Sequence, residues 1–115
     1  MTREEVKAQL AKSPLEWDCT DPFEMHGESV IDHYAEIVEL SADADMYYTI
    51  REMFDDNGSR TRAVLYLTTV DVVQHMYSPY EVVLSVYDNI SVDDIKEIAE
   101  DHRLDFACRL LGVKE

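Results

Sequence analysis

The feature that most constrains this chain is Asp55-Asp56-Asn57-Gly58, set between two long runs rich in β-branched and aromatic residues, Met46 to Phe54 and Ser59 to Val70. Asn-Gly is the preferred pair for a two-residue type I′ turn, because both central positions need a positive φ, so the segment predicts a hairpin looping at Asn57 and Gly58. That register sets Tyr48 opposite Leu67 and Ile50 opposite Leu65. By alternation Tyr48, Ile50, Phe54, Ala63, Leu65 and Leu67 share one face, expected to be the core side. Tyr47, Thr49, Arg51, Arg62, Tyr66 and Thr68 share the other, expected to be wetter.

Elements on either side of the hairpin follow from caps and periodicity. Thr2 with Glu5 three residues on is a capping box, Val6 and Leu10 give an apolar stripe, and Pro14 forbids continuation, so a short helix is expected over about residues 3–12. Leu15, Trp17 and Cys19 alternate with Glu16 and Asp18, which reads as a first strand with a buried Trp. Asp21 to Glu28, with Pro22 and Gly27, reads as an acidic loop, and Ser29 to Leu40 as a strand ended by the polar Ser41 to Asp45. Asp71 to Tyr77 is expected to be a connector or one helical turn before Pro79, and Tyr80 to Tyr87 a valine-rich strand. Ser91, followed by Asp93 and Asp94, caps a last helix that runs to about Leu111 before Gly112. A chain of 115 residues is one domain. The fold class expected is α+β: an antiparallel β meander of three to five strands with an N-terminal and a C-terminal helix packed on one face.

Charge narrows the function classes. The net charge is −15, and residues 21–57 carry eleven carboxylates against one cation. Such a surface repels phosphate backbones and anionic membranes, so neither direct nucleic-acid binding nor a membrane is expected, and a basic protein partner is. The apolar fraction of 46% is that of a folded domain. No apolar leader or spanning segment is visible, and two cysteines far apart suit reduced thiols in the core of a cytoplasmic protein. Three glycines cannot build a phosphate-cradling loop, and no G-x-S-x-G or H-E-x-x-H occurs, so no enzyme and no cofactor is indicated. A calcium loop at Asp55 lacks its first and twelfth ligands, where Met53 and Val64 stand.

Three candidate sites remain. Cys19, His26 and His33 are evenly spaced among Asp21, Glu24 and Glu28, which would suit a divalent metal, although the spacing matches no standard zinc pattern. Asp94, Glu97 and Asp101 lie within about 80° of one another on the last helix with no cation at i+4, a ladder that could imitate a phosphate backbone towards a nucleic-acid-binding factor. Asp105, on the same stripe, is expected to pair with Arg109. Tyr47, Tyr66, Arg51 and Arg62 on the wetter hairpin face are of the types enriched where proteins bind proteins. Each has a plainer alternative: a solvated loop, a solubilising helix face, and β-propensity alone. His102, on the stripe Val92, Ile95, Ala99, Phe106, is expected to be largely buried in a packing role. His75 suggests no chemistry.

Leu15-Glu16-Trp17 and the segment Ser91-Val-Asp-Asp-Ile-Lys-Glu-Ile-Ala-Glu-Asp-His102 together resemble small uncharacterised proteins of phages and mobile elements of gut bacteria. The resemblance covers about a quarter of the chain and implies a Trp-bearing first strand, a β meander and a closing helix. It carries no functional residues across. The function expected is a non-enzymatic acidic interaction or regulatory protein, in its sharpest form a nucleic-acid mimic. The alternative is a metal-binding protein built on Cys19 to His33.

Overall fold

The computed structural model describes residues 1–37, 44–71 and 80–113. The order of elements is α1 (Arg3–Ala11), β1 (Asp18–Cys19), β2 (Phe23–Met25), β3 (Glu28–Glu36), β4 (Ala44–Phe54), β5 (Arg60–Asp71), β6 (Tyr80–Tyr87) and α2 (Val92–Leu110). The fold is α+β, with a wholly antiparallel sheet ordered β1-β3-β4-β5-β6 and β2 also paired to β3. Six strands exceed the three to five expected because β1 and β2 divide one edge of β3 between them. Asp18 and Cys19 face Tyr34 and His33, whereas Phe23 to Met25 face Val30 to Glu28. Pro22 has no N–H to give a ladder, so the edge breaks between the two pieces.

The segment read as an acidic loop is therefore a hairpin. Met25 pairs with Glu28 across His26 and Gly27, whose φ values are 52° and 81°. Two positive φ angles in a two-residue loop make this the type I′ turn. At Asn57-Gly58 the structure departs from the expected turn. Gly58 N–H bonds to the Asp55 carbonyl and Asp55 N–H to that of Ser59, and of this loop only Gly58 has a positive φ, at 80°. The loop has three residues, a type I turn closed by a left-handed glycine. The Asp55 carboxylate selects it by accepting the N–H groups of Asn57 and Ser59 at 2.9 and 3.0 Å. A bulge beside Met53 and Phe54 absorbs the extra residue, so Tyr48 still faces Leu67 and Ile50 still faces Leu65.

On one face of the sheet Leu15, Ala35, Ile37, Tyr48, Ile50, Ala63 and Leu65 form the core with Ile95 and Ala99 of α2. Leu67 packs at its margin and Phe54 is only half-buried, beside the bulge. Trp17 is half-buried too, with Lys96 Nζ 5.7 Å from its ring centre. Both helices begin as read: Thr2 and Glu5 form the capping box, and Ser91 accepts from the Asp94 N–H. Among the described residues only α2 packs on the sheet; α1 packs on α2, where Val6 meets Leu104 and Cys108. The reason is a second apolar stripe on α2, Leu104 and Cys108, turned away from Ile95 and Ala99. Asp105 ion-pairs across this seam with Arg3 at 2.5 Å, not with Arg109. Cys108 is buried but Cys19 is exposed on the edge strand β1, so only one cysteine belongs to the core. The connector expected from Asp71 to Tyr77 falls, beyond the end of β5, outside the described residues, as do His75 and the end of the strand expected to reach Leu40. Among the described residues no helix is long and apolar enough to cross a membrane.

Candidate functional site

The sheet face opposite α2 holds the candidate site, and alternation puts it there. Asp32, Tyr34 and Glu36 of β3 stand beside Arg51, Thr49 and Tyr47 of β4, which stand beside Val64, Tyr66 and Thr68 of β5. This face is less wet than expected. Thr49 and Thr68 are each 8% exposed and share a hydroxyl hydrogen bond of 3.2 Å. Arg51 grips Asp32 with two hydrogen bonds, Nε to Oδ1 at 2.9 Å and Nη2 to Oδ2 at 3.1 Å, and lies 5.2 Å from the centre of the Tyr66 ring. A bidentate, partly buried pair stacked on an aromatic ring is rigid, because each partner fixes the other's orientation. Beyond it Val30, Met53 and Val64 form a second apolar cluster with Met25 and Tyr66.

These side chains floor a cavity of about 380 Å³ lined by Thr20, Asp32, Tyr34, Tyr47, Thr49, Arg51 and Thr68. A second hollow of about 480 Å³ lies beside it, between the end of α1 and β1. Its lining includes Lys12, Glu16, Asp18, Glu36 and Arg103, and it shares Tyr34 and Tyr47 with the first. Tyr34 and Tyr47 thus stand in the walls of both hollows. Its far wall is held by Glu100, which accepts from Leu15 N–H at 3.0 Å with one oxygen and meets Arg103 Nη1 at 3.5 Å with the other. Burial pulls Arg103 below the usual guanidinium value, yet it stays cationic at any ordinary pH.

Of the residues expected on this face, the structure brings together Tyr47, Arg51 and Tyr66. It sets Arg62 apart, exposed and turned to the sulfur of Met53 at 2.9 Å. Thr49 and Thr68 lie on this face as expected, whereas Asp32 and Tyr34 complete the site and were missed, although Val30, Asp32, Tyr34 and Glu36 alternate with Ile31, His33, Ala35 and Ile37. That alternation, with the more apolar row Ile31 to Ile37 facing the core, is the signal that could have found them.

Asp94, Glu97 and Asp101 are all exposed on α2, and none has an ion pair among the described residues. The metal hypothesis fares differently. Cys19 lies opposite His33, but His26 is in the turn at the far end of β3, roughly 17 Å away by strand rise. His33 Nε2 is already held by Glu52 Oε1 at 2.7 Å, and Arg60 Nε lies 3.7 Å from the other Glu52 oxygen. Cys19, His26 and His33 therefore do not form a metal site, and among the described residues no group of three such ligands could hold an ion.

His102 is half-buried, not largely buried, because its ring reaches the end of the Tyr48 side chain. Tyr48 Oη and His102 Nδ1 are 2.7 Å apart, and the ring stacks on Phe106 at 6.4 Å between centroids. Burial, with a smaller push from Glu100, raises the Tyr48 phenol well above its ordinary value, so the hydroxyl keeps its proton. Burial also lowers the His102 pKa; Asp105 opposes that shift and Arg109 adds to it. Comparison with known proteins gives no match: no family model, no curated relative and no solved structure is similar to this chain.

Proposed function

We propose that this chain is a non-enzymatic interaction or regulatory protein that takes a basic segment of a partner protein into the Tyr34–Tyr47 groove. One observation carries the reading: two tyrosines line both hollows, and in the larger one the carboxylates of Glu16, Asp18 and Glu36 outnumber the cations of Lys12 and Arg103. A lysine or arginine side chain entering there gains the faces of the rings and a carboxylate at its charged end. The net charge of −15 would draw such a partner in. Two free cysteines accord with a reducing compartment such as the cytoplasm.

A second surface has its own support. The exposed ladder Asp94, Glu97 and Asp101 is uncompensated among the described residues, as a mimic of a phosphate backbone would require. That version makes the target a nucleic-acid-binding factor, and it suits the resemblance to proteins of phages and mobile elements. Fluorescence anisotropy with a labelled lysine- and arginine-rich peptide separates the two surfaces. Affinity should fall at least about tenfold between roughly 50 and 300 mM salt, because screening weakens exposed charge. The double change Tyr34→Ala with Tyr47→Ala should weaken binding about tenfold, with Asp94→Asn, Glu97→Gln and Asp101→Asn together having little effect. The reverse result moves the site to α2. A peptide that does not bind the parent, or binds both variants equally well, ends the proposal.

A further inference from the structure

The open face already holds one arginine of the chain itself, and it does so with two kinds of partner. Arg51 gives two hydrogen bonds to the carboxylate of Asp32, directly across from it on β3, and lies over the ring of Tyr66 on β5. A carboxylate beside a tyrosine recurs twice on the same face. Asp18 on β1 stands opposite Tyr34 on β3, and Glu36 on β3 stands opposite Tyr47 on β4. Residues directly opposite in an antiparallel pair have Cβ atoms about 5 Å apart on one side of the sheet, so one entering side chain can meet both members of a pair. All four residues line the hollow of about 480 Å³. Asp18 and Glu36 are exposed, and neither has an ion pair among the described residues. Of the cations in the same hollow, Arg103 meets Glu100 and Lys12 makes no ion pair among the described residues.

We propose, resting on the basic-segment reading above, that this hollow selects arginine over lysine and takes two arginines set two residues apart in an extended partner segment. One lies against Asp18 and Tyr34, the other against Glu36 and Tyr47. The choice of arginine follows from the chemistry that holds Arg51. A guanidinium is planar and weakly hydrated, so it can lie flat on a ring and give two parallel hydrogen bonds to a carboxylate at once. An ammonium is a compact, strongly hydrated charge that gives no such fork, and at exposed carboxylates it keeps its water. The net charge of −15 draws either cation in, but shape separates them. The spacing follows from the register. The two pairs lie one strand apart across the sheet and, from Tyr34 to Glu36, two residues apart along β3, which sets their centres about 8 Å from each other. Alternate residues of an extended segment share one side at about 6.6 Å, and the long side chains span the remainder. Adjacent residues point to opposite sides, and neighbours on a helix face stand only about 5–6 Å apart.

Anisotropy of the full chain with four labelled peptides of equal length and charge tests it: two arginines separated by one serine, two lysines separated by one serine, two adjacent arginines, and two arginines separated by three serines. The first should bind about tenfold more tightly than the lysine peptide and several-fold more tightly than either other arginine peptide. Asp18→Asn and Glu36→Gln, made singly at exposed positions, should each weaken the first peptide several-fold with the circular dichroism unchanged. Tyr34→Leu should bring the ratio of arginine to lysine affinity towards one, because the ring favours the flat guanidinium. A lysine peptide that binds as tightly as its arginine counterpart, or arginine peptides indifferent to spacing, overturns this selection while the basic-segment reading stands. If no peptide binds the parent, both fall together.

Discussion

The two faces of this sheet are built from the same strands, and the middle of each is kept dry by different means. On the α2 side, Tyr48, Ile50, Ala63 and Leu65 are each no more than 1% exposed because Ile95 and Ala99 cover them. On the open side no helix packs among the described residues, yet Thr49 and Thr68 reach 8% and the Arg51 side chain 11%. There, long neighbouring side chains do the covering and polar groups satisfy one another in pairs. Low exposure alone does not mark a hydrophobic core. The covered face is held by hydrocarbon packing, which is non-directional, and the open face by paired hydrogen bonds, which fix geometry. A surface with fixed side-chain geometry is the better place for a binding groove.

That contrast is broken most severely from the covered side. Leu65→Ala should cost about 2–5 kcal/mol in urea unfolding, whereas Val83→Ala on the open face should stay within about 0.5 kcal/mol. Equal losses would mean that both faces are core. Arg51→Met strands the Asp32 carboxylate, only 15% exposed, and should cost about 1–3 kcal/mol; adding Asp32→Asn should restore part of it. Strict additivity would show that the pair contributes no coupling. Thr68→Val leaves the Thr49 hydroxyl without its partner and should cost about 1 kcal/mol with the fold unchanged by circular dichroism. The smallest effect sharpens the comparison on the covered side, where Tyr48 and His102 form a polar link between core and helix. The His102 pKa is lowered on folding from its ordinary 6.5, so the unfolded chain binds the proton more readily. Its contribution is fully present above about pH 6.5 and is lost as the pH falls from there towards the lowered value. His102→Gln should flatten that part of the stability profile; an identical profile in the variant would remove His102 as its cause.

How much of this was legible in the sequence depended on whether the signal was local. Both helix caps and the pairing of β4 with β5 were readable because Thr2, Glu5, Ser91 and the alternating rows act over a few residues. The turn types were not. Asn57-Gly58 carries the usual type I′ pair, but the Asp55 carboxylate captures two N–H groups and draws the loop into three residues. His26 gives weak warning that it will adopt a left-handed φ, and so β2 was read as loop. The groove needed a tertiary fact, the pairing of β3 with β4, before Asp32 and Tyr34 could be set beside Arg51 and Tyr47. The place of α1 was equally hidden, since Leu104 and Cys108 declare an apolar stripe without saying what covers it.

The contact between α1 and α2 bears on how the chain is made. Strands β3 to β6 leave the ribosome in the order in which they pair, so the meander can assemble as it emerges. Its apolar row does not gain a cover until residues 92–110 follow, and only then does Val6, which precedes every strand, find Leu104 and Cys108. Segments that precede and follow all the strands are thus joined in a single late step. A chain halted just short of α2 would display Tyr48, Ile50 and Leu65 as a continuous sticky stripe, the kind of surface that chaperones hold and proteases find.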